Sequence, residues 1–160
     1  MKTDYLIVGQ GLAGSAMAMA LLEKDMSVMV MDRETPNSAT RVAAGLVTTL
    51  AGKGMNPAWR QEEYLPEAMA YYRELETRSG RTLFHEMELL RLFNDEKQCV
   101  KFERKKEQVS DWYSEARSED LAQWNAPHGG FVMQQGGWLD TNAYMDVIRN
   151  VLDDCYRKQN

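Results

Sequence analysis

The sequence predicts an α/β protein that begins with a parallel strand, helix, strand unit, and three observations predict it. Two short, apolar, β-rich runs, Tyr5-Leu6-Ile7-Val8 and Ser27-Val28-Met29-Val30-Met31, have the composition of strands. Between them stand Ala16, Ala18, Ala20, Leu21 and Leu22, small or helix-favouring residues. Glycines gather where the first strand must turn into that helix. At 160 residues, with 44% hydrophobic and 27% charged side chains, the chain is long enough for one core. Its composition excludes disorder, collagen and a coiled coil.

In order along the chain, Tyr5–Val8 is apolar throughout, the pattern of a strand buried on both faces. A helix from Leu12 to Lys24 follows, then the second strand, which ends at Asp32; the crossover is expected to be right-handed. Residues Glu34 to Gly54 are rich in Thr, Ala and Gly, with Pro36 near the start, and read as a winding loop. From Glu62 to Arg78 the residues Leu65, Ala68, Met69, Tyr72 and Leu75 recur at three- and four-residue intervals, a helical stripe of about four turns that Gly80 terminates. His85 to Phe93 reads as one strand, and Asp95 caps a helix over Glu96 to Gln108. The lysines and arginines of that helix alternate with glutamates, as on a solvated face. Asp111 to Asn125 has room for three turns of helix, Gly130 to Gln134 reads as a strand and Gly136-Gly137 as a turn. Asp140 caps a last helix with the stripe Tyr144, Val147, Ile148, Val151, Leu152 and Cys155; no following strand is evident on which that face could pack.

The chemistry is carried by Gly9-Gln10-Gly11-Leu12-Ala13-Gly14, a G-x-G-x-x-G sequence between a predicted strand and a predicted helix. The first glycine permits the tight turn, the second lets a pyrophosphate approach the backbone, and the third allows helix to pack closely on strand. Free N–H groups at the helix N-terminus then face the anion. Asp32 lies 18 residues beyond Gly14, close to the spacing of about 20 at which an acid accepts hydrogen bonds from ribose hydroxyls. A carboxylate there repels a 2′-phosphate, which disfavours NADP. FAD and NAD share the adenosine diphosphate that such a unit grips, so the Rossmann-like unit alone leaves both open.

Asp32-Arg33 followed by Ser38-Ala39-Thr40-Arg41-Val42-Ala43-Ala44-Gly45-Leu46 resembles the start of the FAD-dependent oxidoreductases of the D-amino-acid oxidase superfamily, glycine oxidase-like branch. Trp59-Arg60, Tyr71-Tyr72-Arg73-Glu74-Leu75, Phe84-His85 and Gly136-Gly137-Trp138-Leu139-Asp140 are similar to the same proteins in the same order. The resemblance implies FAD as cofactor, with its adenine end at Asp32 and Arg33, its pyrophosphate at Gly9, Gly11, Leu12, Ala13 and Gly14, and its later portion near Thr40, Arg41, Ala44, Gly45 and Leu46. It further implies a small-molecule amine or amino-acid substrate and an interleaved plan: residues 1–46 as the first part of an FAD-binding domain, 47–138 as part of an α+β substrate domain, and 139–160 as a helix returning to the first. By the same resemblance the chain corresponds to roughly the first half of such an enzyme. No catalytic side chain is expected within it, and alone it would hold FAD weakly or not at all and not turn over. Departures from the family pattern are Asp25 at the glycine that ends the first helix, aspartate for glutamate at position 32, and Val47-Thr48-Thr49 where relatives carry an asparagine-proline pair. Two further readings are an NAD-dependent dehydrogenase, which the same unit would serve, and a non-catalytic nucleotide-binding fragment.

Other functions are disfavoured by composition. Nineteen Lys and Arg against 24 Asp and Glu give a net charge of −5, which repels a nucleic-acid backbone. Cys99 and Cys155 form no metal-binding or disulfide pattern, so no metal is expected and a reduced, cytoplasmic protein fits. The apolar stretch Tyr5 to Leu22 is interrupted by Gly9, Gln10, Gly11 and Gly14, and reads as neither signal peptide nor membrane span. His85 and His128 lack acidic or thiol partners in sequence and read as structural histidines.

Overall fold

A computed structural model describes the backbone of residues 3–159 and the side chains of residues 3–154. The chain folds into two compact units. The first contains the residues up to Gly45, Leu75–Leu83 and the chain from Asp140 onward; the second contains Leu46–Glu74 and Phe84–Leu139.

In the first unit, β1 (Tyr5–Val8) and β2 (Val28–Met31) pair in parallel, with Tyr5 opposite Val28 and Val8 opposite Met31, and α1 (Leu12–Leu22) joins them. The start of the pairing is clamped by Asp4, whose carboxylate accepts from the N–H and the hydroxyl of Ser27 at 2.9 and 2.6 Å; these bonds hold its carboxyl below the usual aspartate pKa. The chain leaves α1 through Asp25, which takes the left-handed conformation (φ 56°) that glycine adopts more readily. The sequence pattern of a strand buried on both faces is not realised in β1 and β2: Leu6, Val8, Met29 and Met31 are exposed. Among the described residues this sheet has two strands, too few to cover either face.

The last helix, α5 (Thr141–Gln159), belongs to this unit and packs against α1. Asp140 caps it, its carboxylate accepting from the Ala143 N–H at 2.9 Å. No strand follows this helix among the described residues, and its apolar stripe packs on α1 instead. Tyr144, Val147 and Ile148 are buried together with Ala18 and Met19 of α1, and the Tyr144 hydroxyl donates to the Leu12 carbonyl at 3.4 Å. The side chain of Cys155, at the end of that stripe, lies outside the described residues.

The second unit contains, in chain order, β3 (Leu46–Val47), most of α2 (Gln61–Ser79), β4 (Phe84–Glu86), β5 (Leu89–Leu92), α3 (Glu96–Glu103), β6 (Tyr113–Glu115), α4 (Ser118–Ala122), β7 (Gly130–Met133) and β8 (Gly137–Leu139). Two antiparallel three-stranded sheets result, in the orders β3-β8-β4 and β5-β7-β6. Gly80 ends α2 with φ 66°, the left-handed terminator the sequence predicts.

Four expectations are corrected in this unit. The single strand expected over His85 to Phe93 is two strands in different sheets, broken at Met87-Glu88, where the Met87 N–H donates to the Gly136 carbonyl at 3.1 Å. The helix expected to Gln108 stops at Glu103. It gives way to a 3-10 turn over Lys106–Trp112, kinked at Val109, and this turn buries Val109 and Trp112. The stretch from Asp111 to Asn125 then supplies β6 and the short α4 rather than three helical turns. Gly137 is a strand residue rather than part of a turn. A Cβ there would lie 2.3 Å from the His85 carbonyl oxygen, so glycine answers to close strand packing.

The core of this unit is aromatic. Phe102 stacks on Phe131 at 4.2 Å with their planes 3° apart, and Phe93, Val109, Trp112, Leu50, Met55 and Met133 close around them. Thr49, in the segment that departs from the family pattern, is buried and donates its hydroxyl to the Gln134 carbonyl at 2.9 Å.

Candidate dinucleotide site

The glycine turn is built by the backbone of the first unit. Gly9 takes φ 100° and its N–H donates to the Met31 carbonyl at 2.8 Å, tying the end of β1 to the end of β2. Gly14 is required by packing, since a Cβ at that position would lie 1.9 Å from the Gly9 carbonyl oxygen and 3.3 Å from the Ile7 side chain. Gly11 is the N-cap of α1, extended, with no side chain to bond the first turn; a Cβ there would reach Thr40 Oγ1 at 3.0 Å. The first turn of α1 holds no acid. Its Leu12 N–H donates to Thr40 Oγ1 at 3.3 Å, while the N–H groups of Ala13 and Gly14 have no partner among the described residues. Free donors, a positive helix end and a glycine at the point of closest approach suit a phosphate group.

Asp32 follows β2, which ends one residue earlier than the sequence predicts, beside this turn. One carboxylate oxygen accepts the Gln10 N–H at 2.7 Å and the other the Glu34 N–H at 2.6 Å. The Gln10 bond, seconded by the Glu34 bond, lowers the Asp32 pKa from 3.8. The group is therefore ionised at neutral pH, and with two oxygens each able to accept twice it keeps lone pairs for ribose hydroxyls.

A cavity of about 370 Å³ opens at this junction, lined by Gln10, Gly11, Asp32 and Arg41 together with Glu34, Thr35, Pro36, Ser38, Asn142, Met145 and Arg149. Its size is in the range of small-molecule sites, roughly 300–1,000 Å³. Arg41 is held in place by Asn142 Oδ1 at 3.2 Å and Asp146 Oδ1 at 3.0 Å, and Arg149 lies 3.6 Å from Glu34. The structure thus gathers Gly11, Asp32 and Arg41 around one space, with Gly9, Gly14, Leu12 and Thr40 forming the turn behind it. Ala13, Arg33 and Ala44 are exposed and do not line the cavity; Gly45 turns with φ 69°, and Leu46, also exposed, opens β3 in the second unit. Asn142, Met145 and Arg149 are additions that sequence reasoning missed. In the sequence they show only as a shared helix face, since positions 142, 145 and 149 repeat at three and four residues on α5, away from Tyr144, Val147 and Ile148; nothing there ties them to the glycine turn. Among the described residues there is no cluster of three or more metal-ligating side chains and no helix long and apolar enough to cross a membrane.

A parallel βαβ unit with its glycine turn, helix N-terminus and terminal acid around one cavity defines a dinucleotide-binding fold. The particular family follows from comparison: the family model described as FAD dependent oxidoreductase, DAO, matches residues 4–153, and the chain belongs to that family. Among curated proteins it is similar to the uncharacterized oxidoreductase YurR of Bacillus subtilis, 35% identical over 72 residues, covering 45% of this chain and 19% of that protein. Among solved structures it is similar in fold to glycine oxidase from Bacillus cereus, with a TM-score of 0.69 and 16% identity over 92% of this chain. It is likewise similar to L-amino acid deaminase from Proteus myxofaciens, with a TM-score of 0.71 and 15% identity over 93% of this chain. The chain spans 44% and 36% of those two proteins.

Proposed function

We propose that this chain is the nucleotide-gripping part of an FAD-dependent oxidoreductase that oxidises the carbon–nitrogen bond of an amino acid or related amine. The observation that carries the reading is the single cavity in which the Gly11 turn, the ionised Asp32 and the two arginines Arg41 and Arg149 converge. Support for the substrate class comes from the fold shared with a glycine oxidase and an L-amino acid deaminase. Bound FAD would supply the acceptor for a hydride removed from the carbon beside the substrate nitrogen.

The residues of the chain bind and orient. The α1 N-terminus and Arg41 meet the phosphates, Asp32 accepts from the ribose, and Gly11 keeps the space between them clear. Arg33, Ala44, Gly45 and Leu46 extend the same grip along the cofactor. The same reading places the protein in the cytoplasm and assigns no substrate-anchoring side chain to these 160 residues. The isolated chain is accordingly expected to release no peroxide from glycine, sarcosine or D-amino acids, and turnover would locate the substrate site within it.

The cofactor test is a titration of the purified chain with FAD and, in parallel, with NAD, followed by flavin fluorescence and calorimetry. FAD should bind more tightly than NAD, and Gly11→Val should abolish FAD binding, because its side chain would occupy the pyrophosphate position. Tighter binding of NAD, or unchanged FAD affinity in Gly11→Val, would overturn the reading.

A further inference from the structure

One face of α3 and the 3-10 turn after it forms a groove of about 670 Å³ in the second unit, lined by Lys97, Val100, Lys101, Arg104, Lys105 and Gln108. Lys97 and Lys101 stand four residues apart on one face of α3, and Arg104 and Lys105, just past its end, line the same groove. Two of them are anchored from below by backbone carbonyls of the neighbouring loop. Lys101 Nζ donates to the Lys53 carbonyl at 3.3 Å, and Lys105 Nζ donates to the Gly54 carbonyl at 2.7 Å and also bonds Asn56 Oδ1. Lys97 and Arg104 are exposed and form no ion pair with a described residue. Glu96, at the rim, is the one acid that lines the groove, and the nearby Glu103 is engaged by Lys106 at 2.7 Å. Burial, with the neighbouring Lys101 charge adding to it, holds the Lys105 ammonium below the usual lysine pKa.

The apolar floor of the groove is one residue, Val100, 43% exposed and accompanied by the methylene stems of the lysines. A concentration of positive charge on a chain whose net charge is −5 is complementary to an acidic partner and unlike the rest of its own surface. A nucleic-acid backbone would be repelled by that remaining acidic surface and has no use for an apolar floor. A bilayer presents a broad surface rather than a residue that could enter a concave groove.

We propose that this groove docks an acidic protein segment in which an apolar side chain seats on Val100 while flanking carboxylates meet Lys97, Lys101 and Arg104. The site is independent of the cofactor cavity, and the failure of either reading leaves the other standing. The test is fluorescence anisotropy with the 160-residue chain and a fluorescein-labelled peptide in which one Leu is flanked on both sides by Asp and Glu. Binding is expected, and it should weaken as salt is raised. The double variant Lys97→Glu, Arg104→Glu should lose at least about tenfold in affinity, a difference of about 1.4 kcal/mol. On the unaltered protein a peptide with Ser in place of Leu should bind several-fold more weakly, a comparison that does not depend on how the variant folds. No binding at low salt, equal binding of the Leu and Ser peptides, or affinity unchanged by the double charge reversal would each overturn the proposal. So would tighter association with phosphatidylserine vesicles or a single-stranded oligonucleotide than with the Leu peptide.

Discussion

In β1, Leu6 is 55% and Val8 81% exposed, whereas in β7 Phe131 is fully buried and Val132 and Met133 nearly so, although both strands are four almost wholly apolar residues. The difference lies in what surrounds each strand. β7 is the centre of a three-stranded sheet with Phe102 stacked on it, while β1 has one neighbour among the described residues. The second unit is held by side-chain packing. The glycine turn of the first unit is held by backbone stereochemistry and hydrogen bonds: Gly9 to Met31, Gln10 and Glu34 to Asp32, Leu12 to Thr40. A binding site organised in this way does not depend on dense packing in its immediate surroundings.

If that contrast is right, Phe131→Ala should be the most damaging single change, lowering stability by about 3–5 kcal/mol, the usual cost of truncating a buried phenylalanine. A denaturant melt of the variant measures it, and a loss under 1 kcal/mol would show that the aromatic stack is not the core of the second unit. Asp32→Ala should weaken FAD binding by about 1.5–3 kcal/mol through loss of charged hydrogen bonds, with thermal stability changed far less than by Phe131→Ala.

The pH dependence follows from the lowered Asp32 pKa. The contribution of this carboxylate to stability is fully present above its unfolded value near 3.8 and is lost as pH falls through the lower folded value. Its role should therefore be flat from neutral pH down to about pH 5, and a midpoint above 5 in the difference between wild type and Asp32→Ala would contradict the hydrogen bonding described. Asp25→Gly should stabilise the chain slightly, by about 0.5 kcal/mol, since glycine relieves the left-handed strain at the end of α1 at some entropic cost in the unfolded state. The smallest effect is expected at Val8→Thr, within about 0.5 kcal/mol, because the side chain is already in water. A larger loss would mean that β1 is covered in solution.

Local chemistry was legible in the sequence wherever a short-range rule fixes the backbone. The Gly9–Gly14 turn, the Asp95 and Asp140 caps, the Gly80 terminator and the helices with clear stripes all depend on residues a few positions apart. Features set by partners distant in sequence were not legible. The break between β4 and β5 comes from the Met87 bond to Gly136, and the place of Gly137 in a strand comes from the nearby backbone of His85. Around the cavity, Asp32 and Gly11 could be read from spacing. Asn142, Met145 and Arg149 could not, because they are more than 90 residues from the turn they adjoin in space and Asn142 and Arg149 look like ordinary surface residues of a helix.

The Thr40 hydroxyl, which receives the Leu12 N–H at the open end of α1, has a thermodynamic consequence. On the proposed cofactor reading it is a place-holder: an oxygen supplied by the chain at a donor that a phosphate oxygen would otherwise take. Ligand entry is then an exchange of acceptors rather than the filling of a bare position, so the measured affinity reports the advantage of a charged oxygen over a neutral one at that donor. The exchange also leaves the hydroxyl proton free to point at the newcomer, so that the group displaced as acceptor can return as donor.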